Sequence, residues 1–183
     1  MKELIDELIK INEEVFYLSD EAASITGQHF SFLSKQAAKN RRKRCRICTH
    51  QSADAVLHEM FIMHSKGNYV PPHAHMNSDE SLTLIKGEGA MFLYDGCGNV
   101  TRVIYLNADV NKGVSYVRTP KGVFHSLFIL SDEFLFKEAV LGPFERSNMI
   151  ESVFAPKEDD IEKVNAFLLN CQEELQRVLK YDR

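Results

Sequence analysis

Residues 56 to 140 consist of short apolar segments with turn residues between them, and this pattern limits the possible folds more than any other feature of the chain. Turn signals such as Gly87-Glu88-Gly89 separate the segments. The predicted strands are Val56–Met63, Tyr69–His75, Ser81–Ile85, Ala90–Tyr94, Val100–Leu106, Ser115–Arg118, Val123–Leu130 and Phe134–Val140. About eight strands at this spacing are typical of a β-sandwich or β-barrel, so the sequence predicts a mainly β fold.

Two histidines and a glutamate lie close together within the segment Gly67–Gly87. His73 and His75 are separated by one residue, so their side chains point to the same face of an extended strand, about 7 Å apart along the chain. Glu80 follows a short polar turn and returns on the next predicted strand. The three side chains can therefore converge on one metal ion.

A fourth candidate ligand, His125, stands near the start of a later apolar strand, after a turn that begins at Pro120. Three imidazole nitrogens and one carboxylate suit zinc, iron, manganese and nickel without a decisive preference. Such a set leaves coordination positions open for water or substrate. We expect the chain to bind one divalent transition-metal ion.

These residues resemble the two sequence motifs of the cupin superfamily. The first, G-x5-H-x-H-x4-E-x6-G, is filled at each specified position by Gly67, His73, His75, Glu80 and Gly87. The second, G-x5-P-x-G-x2-H-x3-N, is matched in its central part by Pro120, Gly122 and His125, whereas Gly113 lies one residue too far away and Ile129 replaces the asparagine. The resemblance implies a double-stranded β-helix, which is the cupin form of a β-sandwich or barrel, and a homodimer.

A closer resemblance covers roughly residues 35 to 160 and is to the WbuC family of cupin-fold metalloproteins. The residues in common are, in order, Arg-Arg-Lys-Arg at 41–44, His50, Asp54, the segment Gly67 to Glu80, Gly122 to His125, Glu138, Gly142-Pro143-Phe144 and Phe154-Ala155-Pro156. Ser78 and Phe124 depart from the family pattern, in which lysine and tryptophan are common. The resemblance implies a role in O-antigen or other surface-polysaccharide biosynthesis, but no particular reaction.

The basic run contains three arginines at alternate positions, Arg42, Arg44 and Arg46. If residues 41–49 form a strand, the three side chains share one face. They could then bind a phosphate or diphosphate bidentately, as a sugar-nucleotide substrate requires. A solvated edge strand protected by its charges is an equally compatible interpretation.

Two residues are candidates for proton transfer. His50 closes the basic strand with Asp54 nearby, and it could contact substrate or move a proton. Glu138 lies in the last predicted strand and is either a base or a rim carboxylate paired with an arginine. His58 and His64 could share a strand face, but we interpret both as strand residues rather than as ligands.

Helices are predicted on both sides of the β region. Leu4, Leu8, Ile11, Val15 and Leu18 have helical spacing, although the segment that begins at Val15 could equally start a strand. A short second helix is predicted at Phe30–Lys39, and a longer one with a heptad-like apolar seam at Ile161–Val178. The last helix could pack within the chain, the interpretation that we favour, or across a dimer.

The resulting organisation is an N-terminal helical extension (1–40), a cupin β-barrel (41–145) and a C-terminal loop and helix (146–183). The net charge of −4 argues against a general nucleic-acid-binding protein. No apolar run is long enough to span a bilayer and the first residues include acids, so we expect a cytoplasmic protein without a membrane partner. Cys45 and Cys48 form a lone C-x2-C, which we interpret as free thiols.

Two classes of function are compatible with these features. The first is a metal-dependent enzyme that isomerises or epimerises a small carbohydrate or sugar nucleotide. The second is a non-catalytic cupin that binds a sugar or a metal. An Fe(II) dioxygenase-type oxidoreductase is a third possibility with the same ligands, and metal identity separates it from the first because zinc has no redox chemistry.

Overall fold

A computed structural model describes residues 7–181. It contains two α-helices, α1 (Gly27–Lys39) and α2 (Ile161–Tyr181), and a 3-10 turn at Arg146–Asn148. The strands are β1 (Leu8–Lys10), β2 (Val15–Leu18), β3 (Arg44–Cys48), β4 (Leu57–Ser65), β5 (His73–His75), β6 (Glu80–Lys86), β7 (Glu88–Tyr94), β8 (Val100–Asn107), β9 (Tyr116–Thr119), β10 (Phe124–Ile129), β11 (Glu133–Leu141) and β12 (Met149–Glu151).

The strands form two sheets that pack face to face. One has seven strands in the order β1-β2-β3-β4-β11-β6-β9, and the other has five in the order β12-β5-β10-β7-β8. The pairing is antiparallel except between β2 and β3. Residues such as Ile62 and Phe136 from the larger sheet and Met91 and Leu127 from the smaller one form the core between them. The predicted mainly β architecture is confirmed.

The eight strands predicted between residues 56 and 140 correspond in order to β4–β11. Their period-two pattern is visible in β6, where Glu80, Leu82 and Leu84 are buried and the residues between them are more exposed. This alternation is expected of a strand that has one face toward a core. The short strand β12 was not predicted, because three residues carry too little periodic signal.

The predicted helix over residues 2 to about 18 is wrong for the part that the structure describes. Residues 8–10 and 15–18 are strands β1 and β2, and Leu4 lies outside the described residues. Phe16 and Leu18 are buried while Val15 and Tyr17 are less so, and β2 pairs in parallel with β3. The strand alternative for the segment at Val15 is therefore confirmed.

The helices cover the outer faces of the two sheets. Helix α1 was predicted from Phe30 but begins three residues earlier, where the Thr26 backbone N–H donates to His29 Nδ1 at 3.0 Å. It packs through Leu33 against Ile47 and Leu135 of the larger sheet. Helix α2 packs through its buried residues Cys171 and Leu175 on the smaller sheet. Helix α2 therefore packs within the chain. The predicted division of the chain at residues 40 and 145 stays a prediction.

Within residues 7–181, neither helix combines the length and the apolar character that a bilayer span requires.

Truncation of the helix α1 anchor is expected to destabilise the fold. Leu33 is 0% exposed, and Leu33→Ala should lower the free energy of unfolding by about 2–5 kcal/mol, because it removes apolar burial and leaves a cavity. Urea denaturation with a chelator present measures the change. Lys35→Ala, at an exposed position of the same helix, should change stability by less than about 0.5 kcal/mol. Equal effects of the two substitutions would contradict this packing.

Candidate metal centre and cavity

The strand register brings the four predicted metal ligands together from three strands. His73 of β5 lies opposite His125 of β10 in the smaller sheet. His73 and His75 flank Ala74, which is fully buried on the opposite face of their strand. Glu80 begins β6 in the larger sheet, so the cluster bridges the two sheets.

The ligand atoms of these four residues all lie within 4.8 Å of one another. His75 Nε2 is 2.8 Å from Glu80 Oε2, and His125 Nε2 is 3.5 Å from Glu80 Oε1. Glu80 and His125 are buried, whereas His73 and His75 are partly accessible. The cluster therefore has a closed side and a side that a small molecule can reach.

Hydrogen bonds orient two of the imidazoles. His73 Nδ1 lies 2.8 Å from the Pro71 carbonyl oxygen, and His125 Nδ1 lies 3.0 Å from that of Val123. With Nδ1 donating, Nε2 of each ring is free to act as a ligand, and such outer bonds are typical of metal-binding histidines. Within residues 7–181, His125 Nε2 is buried and has no hydrogen-bond partner. A metal ion would satisfy this nitrogen, so the donor set fits a divalent ion.

Electrostatics favours the ligand form of Glu80 and of His73. Burial alone would raise the pKa of Glu80, but His125 and His75 outweigh it and hold that pKa well below its usual value. Burial, assisted by the charge of His125, lowers the pKa of His73 to about 4. Burial opposes protonation of His125 as well, but Glu80 outweighs it and raises the pKa of His125. Glu80 is therefore an anion and His73 is neutral near pH 7.

The cluster opens into a cavity of about 410 Å³ between the two sheets. Alternate residues of the neighbouring strands β3, β4 and β11 supply much of its wall. These residues are Arg44, Arg46 and Cys48, then His58, Met60, Ile62 and His64, and finally Phe136, Glu138 and Val140. The volume is within the range usual for small-molecule sites.

All three predicted arginines line this cavity, but two of them are engaged in ion pairs. Arg44 Nε donates to Glu14 Oε2 at 2.9 Å. Arg42 pairs with Glu158 and lies 3.7 Å from Glu14. In the part of the chain that the structure describes, no carboxylate lies within 4.0 Å of the Arg46 guanidinium. The three side chains therefore differ in their availability to a ligand.

Glu138 also lines the cavity, opposite Met60 of β4 and Leu82 of β6. Burial and the charge of Glu80 raise its pKa to about 8, against the opposing effect of Arg46. Among the described residues, none of the basic side chains forms an ion pair with Glu138. Its carboxyl group is therefore available for proton transfer with a molecule in the cavity.

His50 lies in another part of the same wall. Its ring stacks on that of His58, with centroids 4.0 Å apart and an interplanar angle of 14°. Its Nδ1 is 3.2 Å from the Glu59 backbone nitrogen and 3.1 Å from the Glu59 carbonyl oxygen. Burial is the main cause that lowers the pKa of His50, so the ring is neutral near pH 7.

Comparison with known proteins establishes the fold. A family model described as a domain of unknown function, DUF6016, matches residues 25–106, which is less than half of the chain. No curated protein gives a significant match. Two structures of the capsular polysaccharide assembling protein CapF from Staphylococcus aureus resemble this chain. One has a TM-score of 0.52 and 16% identity over 62% of this chain and 32% of CapF, and the other has 0.50 and 15% over 58% and 29%.

The fold is a cupin β-barrel. An oxalate oxidase in complex with the substrate analogue glycolate is also similar, with a TM-score of 0.48 and 13% identity over 62% of this chain and 57% of that one. The chain spans about a third of the length of CapF. The likeness to CapF shows the cupin fold alone, and membership of the WbuC family stays a prediction.

Two glycines of the first cupin motif have a clear conformational role. Gly67 and Gly87 have positive φ angles of 78° and 95°, which L residues with a side chain rarely adopt. A Cβ at Gly87 would also overlap the Glu133 carbonyl oxygen. The motif glycines therefore set the turns before and after the ligand-bearing strands of the cupin barrel.

Several cavity residues were missed or undervalued in the sequence. His58 and His64 line the cupin cavity together with Met60 and Ile62, and their even spacing along one strand was the available signal. Arg146 and Glu151 also line it, and Arg146 Nη2 donates to Glu151 Oε1 at 2.6 Å. No pattern marks this pair, because it lies around a strand of three residues.

The buried His64 is expected to make stability depend on pH. Burial is the main cause that lowers its pKa to about 3, whereas the unfolded chain takes up this proton near pH 6.5. The unfolded state then binds more protons, so stability falls as the pH drops below about 6.5 and continues to fall until about pH 3. His64→Gln should reduce the slope of unfolding free energy between about pH 4 and 6 by about 1.4 kcal/mol per pH unit.

Urea denaturation at several pH values, with a chelator present, measures this slope. Asn68→Ala is the matched control, because the Asn68 amide nitrogen lies 3.1 Å from His64 Nδ1 and its loss removes a hydrogen bond but no titrating group. The control should lower stability about equally at each pH. Parallel curves for wild type and His64→Gln would contradict the assignment.

Proposed function

We propose that this cupin is a metal-dependent enzyme that isomerises or epimerises a small carbohydrate. The observation that carries the proposal is a cluster of three histidines and Glu80 on the wall of a cavity that also contains Glu138. Metal ligands, a carboxyl group that has no ion-pair partner among residues 7–181, and room for a small molecule are the components that such a reaction requires.

The proposed ligands of one divalent ion, zinc, iron, manganese or nickel, are His73, His75, Glu80 and His125. Their donor atoms are close enough to converge, and His125 Nε2 has no hydrogen-bond partner in the described part of the chain. When bound, the ion supplies Lewis acidity, which polarises a substrate oxygen and lowers the cost of removing a neighbouring proton.

Glu138 is the proposed base. In its ionised form it takes the proton from the carbon next to the substrate carbonyl, and this proton exchanges with solvent. Glu138 then returns a proton to the other carbon in an isomerisation, whereas in an epimerisation a proton from solvent is added to the opposite face. One C–H bond breaks and one forms, so the substrate is neither oxidised nor reduced overall. His50 is the second candidate for moving a proton, between hydroxyl and carbonyl oxygens.

The proposed biological setting is the synthesis of a surface polysaccharide. It rests on the sequence resemblance to the WbuC family. CapF has the same fold, and its name, capsular polysaccharide assembling protein, refers to a surface polysaccharide as well. Homodimer formation and a cytoplasmic location belong to the same proposal and stay predictions.

Metal content tests the ligand set. Protein purified without an affinity tag should contain about one divalent ion per chain by elemental analysis, and His75→Ala should lose most of it because one of four ligands is removed. His29→Gln is the matched control, since His29 is a buried histidine that caps helix α1, and it should keep the ion. A wild-type protein that stays metal-free after reconstitution would overturn the metalloenzyme proposal.

Deuterium exchange tests the chemistry. With monosaccharides and monosaccharide phosphates in D2O, the metal-loaded protein should incorporate deuterium next to the carbonyl carbon, as followed by NMR. Glu138→Gln should slow incorporation by about 100-fold or more without loss of metal, because it removes the base. Glu162→Gln, an exposed position on helix α2, should leave the rate unchanged.

Two outcomes of this experiment would redirect the proposal. Full metal and ligand binding without exchange for any sugar would favour a non-catalytic binding protein. A protein that holds iron and consumes O₂ with a sugar would favour an Fe(II) dioxygenase-type oxidoreductase.

A further inference from the structure

The three cavity arginines are not equivalent. Arg44 and Arg42 form ion pairs with Glu14 and Glu158, two carboxylates outside the metal cluster. These pairs neutralise the charge of both guanidinium groups, and in them Arg42 donates to Glu158 and Arg44 donates to Glu14. A ligand anion at Arg42 or Arg44 would compete with a carboxylate that already neutralises the guanidinium charge.

Arg46 has the opposite environment. Its backbone is fixed in β3, between β2 and β4, by pairing with Val15 and Ile62. Its side chain is exposed and lines the cavity. Across residues 7–181, its guanidinium has no carboxylate within 4.0 Å. The strand therefore holds the residue in place while its charged group remains available.

Among the described residues, the other charged groups of the wall do not pair with Arg46. Glu80 is held by His75 and His125, and Arg146 is paired with Glu151. Glu138 also lines the cavity, and within residues 7–181 it forms no ion pair with Arg46. An anionic group brought in by a ligand is the natural partner of Arg46.

Arg46 lines the same cavity as the titratable groups on which its charge acts. It is among the groups that lower the pKa of His64 on β4, and it lowers that of Glu138 on β11. Its charge also acts to lower the pKa of Cys48 and of His50. These four residues line the cavity, as Arg46 does, so its charge and a small ligand would share the same space.

We propose that Arg46 binds the single acidic group, a carboxylate or a phosphate monoester, of a monosaccharide whose other end faces the histidine cluster. This inference rests on the proposed function and narrows its substrate class. A sugar nucleotide carries a diphosphate, and two adjacent phosphoryl groups would require further cations. Arg42 and Arg44 are neutralised by Glu158 and Glu14, so the substrate is an acidic monosaccharide rather than a nucleoside-diphosphate sugar.

The rest of the wall fits this ligand class. Met60, Ile62, Leu127 and Phe136 form an apolar part of the lining. The C–H faces of a sugar ring can pack on such a surface, while the ring hydroxyls face the polar groups. Guanidinium binds carboxylate and phosphate with two parallel hydrogen bonds, which would fix the orientation of the ring relative to the metal ligands.

Calorimetric titration of the metal-loaded protein tests the inference with four probes: glucuronate, glucose 6-phosphate, glucose and UDP-glucose. At least one of the two acidic monosaccharides should bind about tenfold or more tightly than glucose, and UDP-glucose should bind no better than glucose. The stronger of the two acidic probes identifies the anionic group as carboxylate or phosphate. Failure of both to bind the wild type, or tighter binding of UDP-glucose, would overturn the inference.

Substitutions assign the binding to one residue. Arg46→Gln should lower the affinity for the acidic probe about tenfold or more and leave the affinity for glucose unchanged. Arg46→Lys should keep part of the affinity for the acidic probe, because lysine supplies a point charge. Arg102→Gln is the matched control for net charge, because Arg102 lies on β8 outside the cavity lining. It should leave the affinity for each probe unchanged. Arg42→Gln should have an effect below about threefold, and a loss equal to that of Arg46→Gln would indicate a cluster of arginines instead.

The failures of the two proposals are distinguishable. Metal content and deuterium exchange of the wild type report on the proposed function. If both are present and Arg46→Gln binds the acidic probes as tightly as wild type, the inference about Arg46 is wrong while the function stands. If the metal is absent but binding to Arg46 persists, the metalloenzyme proposal fails and the anion site stands.

Discussion

A buried, ionised carboxylate held by histidines is the interaction on which the site depends. Glu80 is buried with His75 Nε2 at 2.8 Å and His125 Nε2 at 3.5 Å. A buried charge without compensation is costly, so these contacts must be kept in place by the fold. Because Glu80 comes from the larger sheet and the histidines come from the smaller one, the site requires a fixed relation between the two sheets.

That relation follows from strand register. His73 lies opposite His125, and Glu80 lies opposite Thr119 and Val140 in the larger sheet. A slip by one residue in any of these strands would turn its ligands away from the cavity, because successive side chains point to opposite faces. Residues of the core between the sheets, such as Ile62 and Phe136, also line the cavity. The packing that aligns the sheets therefore also shapes the space for a ligand.

The sequence predicts the parts of this structure that depend on local pattern. Strands β4–β11 have period-two alternation and turn residues between them, and the ligand set has fixed gaps within short segments. The N-terminal strands were predicted as a helix because Leu8, Ile11, Val15 and Leu18 also have helical spacing. What decides their conformation is pairing of Val15–Tyr17 with Arg46–Cys48, which is a contact between distant segments.

The charged residues of the site also differ in whether local pattern or contacts between distant segments determine their state. The common face of Arg42, Arg44 and Arg46 follows from strand geometry, but their pairing with Glu14 and Glu158 does not. Nothing in the sequence distinguishes the arginine that remains available from the two that are neutralised. The role of His64 was undervalued for a similar reason, since whether a strand face lines a core or a cavity depends on what lies opposite it.

The ion pairs also change how the terminal segments relate to the site. Glu14 precedes β2, and Glu158 lies in the loop before α2, so both carboxylates come from outside the ligand-bearing strands. Glu14 pairs with Arg42 and Arg44, and Glu158 pairs with Arg42. Without them, the wall would present three free guanidinium groups and favour ligands of higher charge. The segments before and after the central strands therefore determine how much positive charge the cavity offers to its ligand.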